Sequence, residues 1–158
     1  MGRIIGRILR ILAWIAPIYQ FRASVWRRCG VNIGKRVFIG NLVYIDSQYP
    51  HLITVEDDAS IGPFALILAH SGGSPYHQQT GTFKQPPKPV HIKRGAWIGS
   101  GAIILPGAII GEGAIVASGA VVHREIPDFR IAAGNPARVI SKLPSPKAGK
   151  LKKKKGKT

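Results

Sequence analysis

The sequence predicts a mainly β protein built as a solenoid of short strands, and three regularities support this fold class. Between residues 92 and 122 a branched aliphatic residue returns at every sixth position, an alanine follows four places later and a glycine three places later. Helices repeat about every 3.6 residues and half-buried strands about every 2, so a period of six fits neither. A fixed short period indicates stacked repeats of one strand and one turn, three of which close a triangular coil.

The repeat positions divide into branched residues that face the axis, alanines where space is tight and glycines at the corners. They are Ile92, Ile98, Ile104, Ile110, Val116 and Val122; Ala96, Ala102, Ala108, Ala114 and Ala120; and Gly95, Gly101, Gly107, Gly113 and Gly119. An earlier array starts near residue 31 and continues, after one gap, to residue 67. The predicted repeat domain is therefore interrupted rather than continuous.

The first interruption lies between Ile45 and Val55, where ten residues replace the usual six. We expect Asp46 to Thr54 to form a small outward insertion. Its Asp46, Tyr49 and His51 could contact a substrate, but a solvated loop is the preferred interpretation.

The second interruption runs over residues 71–89, which are rich in glycine and proline and lack the repeat, so they predict an excursion loop. His70 stands where the regular coil meets this loop. An imidazole titrates near neutral pH and can accept a proton from a hydroxyl group. From the residues alone, however, a histidine at a loop edge is more often structural than catalytic.

The array, together with the segment Ala133-Gly134-Asn135-Pro136-Ala137-Arg138-Val139-Ile140, resembles the hexapeptide-repeat acyltransferases, particularly the branch of maltose and galactoside O-acetyltransferases. The resemblance covers residues 31–141. It implies a left-handed parallel β-helix, a homotrimer with sites at the subunit interfaces, acetyl-CoA as co-substrate and His70 as the general base.

The same resemblance implies a set of carrier-binding residues. They are Trp97, Ser100, Ser118, Arg124 and Arg138. An arginine can engage phosphate oxygens bidentately, and small corner residues let a pantetheine arm run beside the backbone. Other interpretations stay open, because the tryptophan could be buried in a trimer contact and the serines could be ordinary turn residues. Ser141 stands where the family often has a basic residue, so this chain departs from the family pattern at that position.

Metal catalysis is the less favoured chemistry. A carbonic-anhydrase-like prism needs three histidines that converge on zinc. The four remaining histidines are His51, His77, His91 and His123, and none is paired at a ligating offset. We therefore expect no metal.

The formal net charge of +16 is concentrated at the two ends of the chain. Residues 1–28 contain six arginines and no acid, residues 142–158 contain eight lysines and no acid, and the span between them is nearly balanced. This distribution favours an anionic surface over a nucleic-acid groove. Cys29 is the only cysteine, which fits a reducing compartment.

Residues 1–30 predict an amphipathic helix and a basic linker. In residues 3–19 three arginines cluster opposite a broad apolar face, and Trp14, Trp26, Arg22, Arg27 and Arg28 add residue types common at interfaces. A helix on a membrane surface is preferred, and packing on the prism or at a subunit contact is the alternative. The arginines argue against a spanning helix and a signal peptide.

Residues 142–158 predict a disordered, lysine-rich tail. Residues 1–22 and this tail together indicate a cytoplasmic protein that lies peripherally on the inner face of a membrane. The preferred function is acetyl-CoA-dependent O-acetyl transfer to a hydroxyl of a sugar or glycan-like acceptor. The alternatives are a non-catalytic trimeric scaffold at the membrane and N-acetyl transfer to an amino sugar.

Overall fold

The computed structural model describes residues 19–83 and 85–146, in which short parallel strands form a three-sided prism. Its helices are α1 (Tyr19–Arg28), a 3-10 helix (Pro50–Leu52) and α2 (Pro75–Thr80). Its strands are β1 (Asn32–Ile33), β2 (Phe38–Ile39), β3 (Tyr44–Ile45), β4 (Ile53–Val55), β5 (Ser60–Ile61), β6 (Leu66–Ile67), β7 (Val90–Ile92), β8 (Trp97–Ile98), β9 (Ile103–Ile104), β10 (Ile109–Ile110), β11 (Ile115–Val116), β12 (Val121–Val122), β13 (Arg130–Ala133) and β14 (Arg138–Lys142). Among the described residues, no helix is long and apolar enough to cross a bilayer.

The strands form three sheets, each of which is one side of the prism. Sheet A has the order β1-β4-β7-β10, sheet B the order β2-β5-β8-β11-β13-β14 and sheet C the order β3-β6-β9-β12. Every third strand therefore stacks on the same side, so that β1–β3, β4–β6, β7–β9 and β10–β12 form successive coils 1 to 4. All neighbours pair in parallel except β13 and β14. The mainly β fold predicted from the sixfold period is confirmed.

The core is the column of residues that the period placed on the axis. In β8, for example, Ile98 is fully buried between Ile61 below and Val116 above, whereas Trp97 on the same strand points outward and is 54% exposed. Two-residue strands make this possible, because one side chain faces the axis and the next faces outward.

Two glycines at the corner between β8 and β9 of coil 3 are required for different physical reasons. At Gly101 the φ angle is +66°, and an added Cβ would meet nothing within 4 Å. At Gly99 the backbone is ordinary, but an added Cβ would lie 2.5 Å from the amide nitrogen of Ser118 in the next coil. The first glycine therefore supports a left-handed turn, and the second allows the coils to stack closely.

Helix α1 covers the open end of coil 1. Amides of coil 1 donate to carbonyls of coil 2, as from Gly40 to Ile61 (2.8 Å), so the carbonyls of coil 1 need other donors. The guanidinium of Arg22 donates to the Ile39 carbonyl (2.9 Å), and Arg27 donates to the carbonyls of Ile33 and Gly34. The arginines of α1 thus cap the sheet edges.

The expectation that Trp26 and Arg22 belong to a membrane interface is wrong for these two residues. Both are buried, together with Val25, where α1 packs on the prism. The apolar face of this helix is used for packing because the end of a solenoid must be covered. The predicted helix over residues 3–19 lies almost entirely outside the described residues.

The far end of the prism is closed by the hairpin of β13 and β14. The amide of Leu143, just beyond β14, donates to the Phe129 carbonyl (2.8 Å). The tail boundary predicted at residue 142 is therefore too early, since Lys142 belongs to a strand. The lysine-rich residues 147–158 lie outside the described part of the chain.

Candidate active site

His70 lies just beyond β6, at the point where the chain leaves the prism. Ala69 is still fully buried, and its carbonyl accepts a hydrogen bond from the amide of Lys88 (2.8 Å), where the excursion returns. The loop is thus closed at its base by one backbone bond. The His70 side chain is 24% exposed at this junction.

A buried carboxylate, Asp46, holds the His70 ring. It accepts hydrogen bonds from His70 Nδ1 and from the backbone amides of Gln48 (2.9 Å), Tyr49 (3.2 Å), Ala69 (3.0 Å) and His70 (3.1 Å). The Asp46 side chain has no solvent exposure. It therefore ties the loop after coil 1 to the strand end that carries His70.

The ionisation of Asp46 follows from these contacts. Burial by itself raises the pKa of the Asp46 carboxyl, but the hydrogen bonds from the His70 ring and from three backbone amides outweigh burial and hold this pKa below its usual value. An ionised carboxylate only accepts hydrogen bonds, so Nδ1 of His70 must carry the proton. The lone pair of a neutral His70 is therefore on Nε2.

Nε2 faces an open cleft of about 500 Å³. An added Cβ at Gly72 would lie 3.9 Å from Nε2, so this glycine borders the nitrogen. The cleft is lined by Gln48, Tyr49, His70, Ser71, Gly72, Gly73, Gln78, Phe83, Gln85, Pro86 and Pro87. Apart from His70, the described residues of this lining include no acidic or basic side chain.

The excursion loop forms one wall of the cleft and contains the short helix α2. Ser74 caps its N-terminus by accepting from the His77 amide (3.4 Å), and Gly81 ends it in the left-handed conformation. Gln78 Nε2 donates to the Gly73 carbonyl (2.9 Å), which braces the loop beside the cleft. The loop is thus a structured wall.

Tyr49 forms the opposite wall. Its ring centroid lies 5.3 Å from that of His70, at an interplanar angle of 57°. Tyr49 is half-buried against the core, so its position is fixed by packing and by the hydrogen bond that its backbone amide donates to Asp46. The imidazole is consequently held from two sides.

The expectation of a solvated loop over Asp46 to Thr54 is wrong for Asp46, which is buried, whereas Gln48 and His51 of this segment are exposed. Ile45 pairs with Ile67, which lies 22 residues later, so the separation of 24 residues between Asp46 and His70 does not follow the register of this coil. Both interruptions of the repeat lie near this corner. Sequence reasoning therefore missed the group that orients His70.

The proposed carrier-binding residues fall into two groups. Trp97 is on the outer side of sheet B, Ser100 and Ser118 stack at the corner between sheets B and C, and Arg138 begins β14 at the end of sheet B. The Ser100 carbonyl accepts from the Gly119 amide (2.9 Å), which aligns the two corners. All four residues are exposed.

Arg124 belongs with the other group. It follows β12 at the corner between sheets C and A, which is the corner of His70 two coils earlier. Sheet C therefore separates His70 and Arg124 from the four residues of sheet B and its corner. Within one chain, sheet C thus lies between His70 and four of the five predicted carrier-binding residues, and only Arg124 lies on the His70 corner.

A metal centre is not visible in the described ranges. No group of three or more potential ligands from histidine, cysteine, aspartate and glutamate occurs in residues 19–83 and 85–146. His91 instead bonds Glu56 (2.6 Å) and His77 bonds Ser74 (2.8 Å).

Comparisons with known proteins agree with the prism. Residues 89–124 match the family described as bacterial transferase hexapeptide (six repeats). Nodulation protein L of Rhizobium leguminosarum bv. viciae is 45% identical over 111 residues, which cover 69% of this chain and 56% of that protein. Galactoside O-acetyltransferase of Escherichia coli (strain K12) is 29% identical over 132 residues, which cover 83% of this chain and 61% of that protein.

A solved structure resembles the whole prism. The hexapeptide-repeat acetyltransferase of Vibrio cholerae O1 biovar eltor, in complex with acetyl coenzyme A, superposes with a TM-score of 0.74 and 23% identity, covering 90% of this chain and 87% of the other. This similarity extends to the fold and implies the left-handed β-helix of such proteins. The chain spans about three fifths of the length of the curated relatives that it matches.

Proposed function

We propose that this chain, which matches the hexapeptide-repeat transferase family over residues 89–124, is an acetyl-CoA-dependent O-acetyltransferase with His70 as the general base. The observation that carries the proposal is the pairing of His70 with the buried Asp46 at the mouth of a cleft. The pairing leaves a basic nitrogen aimed at open space, which is what proton removal from an acceptor requires. The O-acetyltransferase name of one relative and the acetyl coenzyme A bound to one structural neighbour support the choice of reaction and donor.

The reaction follows from the protonation state. Nε2 takes the proton of an acceptor hydroxyl as its oxygen attacks the thioester carbonyl carbon. The tetrahedral intermediate then collapses, the carbon–sulfur bond breaks, and the imidazolium returns the proton to the departing thiolate. Asp46 does not change protonation state; it keeps the proton on Nδ1 and stabilises the imidazolium, as carboxylates beside catalytic histidines do.

The acceptor is a hydroxyl of a sugar or glycan-like molecule. The cleft supplies amide groups from Gln48, Gln78 and Gln85 and aromatic walls from Tyr49 and Phe83. Such a lining can bond hydroxyl groups and pack against the apolar face of a ring. An ammonium group would find no carboxylate among the lining residues, so the chemistry favours a hydroxyl over an amino-sugar acceptor.

The working assembly is a homotrimer. A single chain separates His70 from Trp97, Ser100, Ser118 and Arg138 by the width of sheet C. A second copy that places its sheet B against this cleft would bring the two groups together. Exposure of Trp97 in the isolated chain supports this arrangement, because a large aromatic side chain is usually covered.

The test compares His70→Ala with His77→Ala in thiol release from acetyl-CoA with a panel of sugar acceptors. His70→Ala should lower the rate by about 10²- to 10⁴-fold, the usual contribution of a general base. His77→Ala is the matched control, since this exposed histidine lies on the same loop and should leave the rate unchanged within about twofold. A wild-type protein that neither binds acetyl-CoA saturably nor releases thiol would favour the non-catalytic scaffold.

A further inference from the structure

We propose that the α1 end of the prism is a docking surface for an anionic lipid bilayer, and that it positions the cleft next to that surface. The surface is defined here by the outward face of α1 and the first corner of coil 1. It contains Phe21, Arg27, Arg28 and Lys35. All four side chains are exposed.

The first argument is charge. Residues 1–42 contain eight arginine and lysine residues and no acidic residue, whereas all seven acidic residues of the chain lie between positions 46 and 128. Some of this charge is internal, since Arg22 is buried and Arg36 is paired with Asp58 (2.5 Å). Arg27 keeps its charge while its guanidinium donates to carbonyls, and Arg28 and Lys35 remain on the surface. This end therefore complements an anionic layer.

The second argument is the chain that precedes α1. Residues 1–18 precede Tyr19 directly, and they contain eight isoleucine and leucine residues, one tryptophan, three arginines and no acidic residue. The exposed face of α1 continues this composition, because Phe21 and Arg28 are seven residues apart and so lie on the same side of the helix. A segment of this composition gains free energy by lying at a lipid interface.

The third argument is the position of the cleft. Gln48 and Tyr49 come from the loop after coil 1, and this loop contacts the segment that joins α1 to β1. An added Cβ at Gly30 would lie 3.5 Å from Pro50, and Asn32 Nδ2 donates to the His51 carbonyl (3.1 Å). His70 is only one coil further along, and coils are stacked about 4.8 Å apart. The base is thus about one strand spacing, roughly 5 Å, from coil 1, and α1 adds about 10 Å between coil 1 and the proposed lipid surface.

A consequence for the substrate follows, and it rests on the proposed function. An acceptor hydroxyl carried by a molecule anchored in the bilayer could reach His70 if it projects roughly 15 Å beyond the docking surface. In a closed, cyclic trimer all three α1 ends lie on the same side, so three surfaces would engage one membrane together.

The experiment measures sedimentation of the full-length protein with vesicles of phosphatidylcholine, with and without phosphatidylglycerol. Wild-type protein should sediment with the anionic vesicles only, and less as salt increases, because the Debye length falls from about 10 Å at 0.1 M to about 3 Å at 1 M. The double variant Arg28→Glu with Lys35→Glu should weaken binding by at least about tenfold, given the contribution of each cation near an anionic surface.

The matched control reverses two exposed lysines away from this end, Lys88→Glu with Lys142→Glu, and should change binding by less than about threefold. Thermal unfolding and gel filtration of both variants show whether the trimer is intact, and Lys35→Glu alone serves if Arg28→Glu unfolds the helix. Equal losses in the two double variants, or no sedimentation of wild-type protein, would overturn the proposal. So would disassembly of the oligomer by Lys35→Glu, which would make this end an interface between copies. None of these readouts needs acetyl transfer, so they are independent of the proposed reaction.

Discussion

At the residue scale, the chemistry rests on one carboxylate that no repeat rule identified. His70 could be singled out from the sequence because it marks the end of a strand and the start of a long loop, but its role as the base came from the resemblance to hexapeptide-repeat acyltransferases. Asp46 could not, because the repeat gap placed it in a segment that looked like solvent-exposed loop. Its burial depends on five donors that come from both interruptions of the repeat, and only the folded chain brings them together.

Replacing Asp46 by asparagine should lower kcat without weakening the binding of acetyl-CoA. An amide cannot accept from all these donors, and it no longer keeps the proton on Nδ1, so kcat should fall about 10²- to 10⁴-fold. The KM for acetyl-CoA should stay nearly constant, because the carrier-binding residues lie elsewhere. Steady-state kinetics with saturating acceptor give kcat and the KM for acetyl-CoA separately. A large rise in this KM with normal kcat would exclude the role of Asp46 in positioning His70.

The same carboxylate predicts an acid dependence of stability. Its pKa in the folded protein lies below the usual value of about 3.9, so its stabilising contribution is complete above that pH and is lost as pH falls through the lower, folded value. Urea unfolding as a function of pH should show this loss in wild-type protein. Asp46→Asn should be less stable near neutrality and should lack this part of the acid dependence; an unchanged pH profile would contradict the assignment.

At the element scale, the coils were predictable and the cap was not. A period of six residues specified two-residue strands, their inward side chains and the corner glycines. Helix α1 has no such signature, because its arginines and tryptophan suit a membrane interface and a protein end equally well. Its burial is decided by the unpaired carbonyls of coil 1, which exist only once the prism has formed.

Truncation of Trp26 tests the cap. Trp26→Ala should lower the free energy of unfolding by about 3–5 kcal/mol, the usual cost of removing a buried aromatic side chain. Phe21→Ala is the control on the exposed face of the same helix and should cost less than about 1 kcal/mol. Urea titrations at one fixed protein concentration give both values. Equal effects of the two substitutions would mean that α1 does not cover the prism through Trp26.

At the scale of the whole molecule, the separation of His70 from Arg138 is the main constraint on function. The resemblance to hexapeptide-repeat acyltransferases suggested both residues and sites at subunit interfaces, and within this chain sheet C lies between the two residues. If His70 of one subunit and Arg138 of the next form one site, Arg138→Ala should mainly raise the KM for acetyl-CoA. A contact with a remote phosphate contributes similarly to the binding of the ground state and of the transition state. Its effect should arise in the neighbouring subunit's site.

The most direct measurement of this shared site is activity in mixed oligomers. Two proteins are refolded together, one carrying His70→Ala and the other carrying Trp97→Ala with Arg138→Ala, and they are assayed at an acetyl-CoA concentration well below the raised KM, where each alone has little activity. In a cyclic trimer each mixed oligomer has one interface that combines an intact His70 with an intact sheet B, so about a quarter of all sites should recover activity. The account predicts thiol release well above that of either protein refolded alone. Mixed oligomers as inactive as the two parents would show that His70 and the carrier-binding residues act within one chain, and would contradict it.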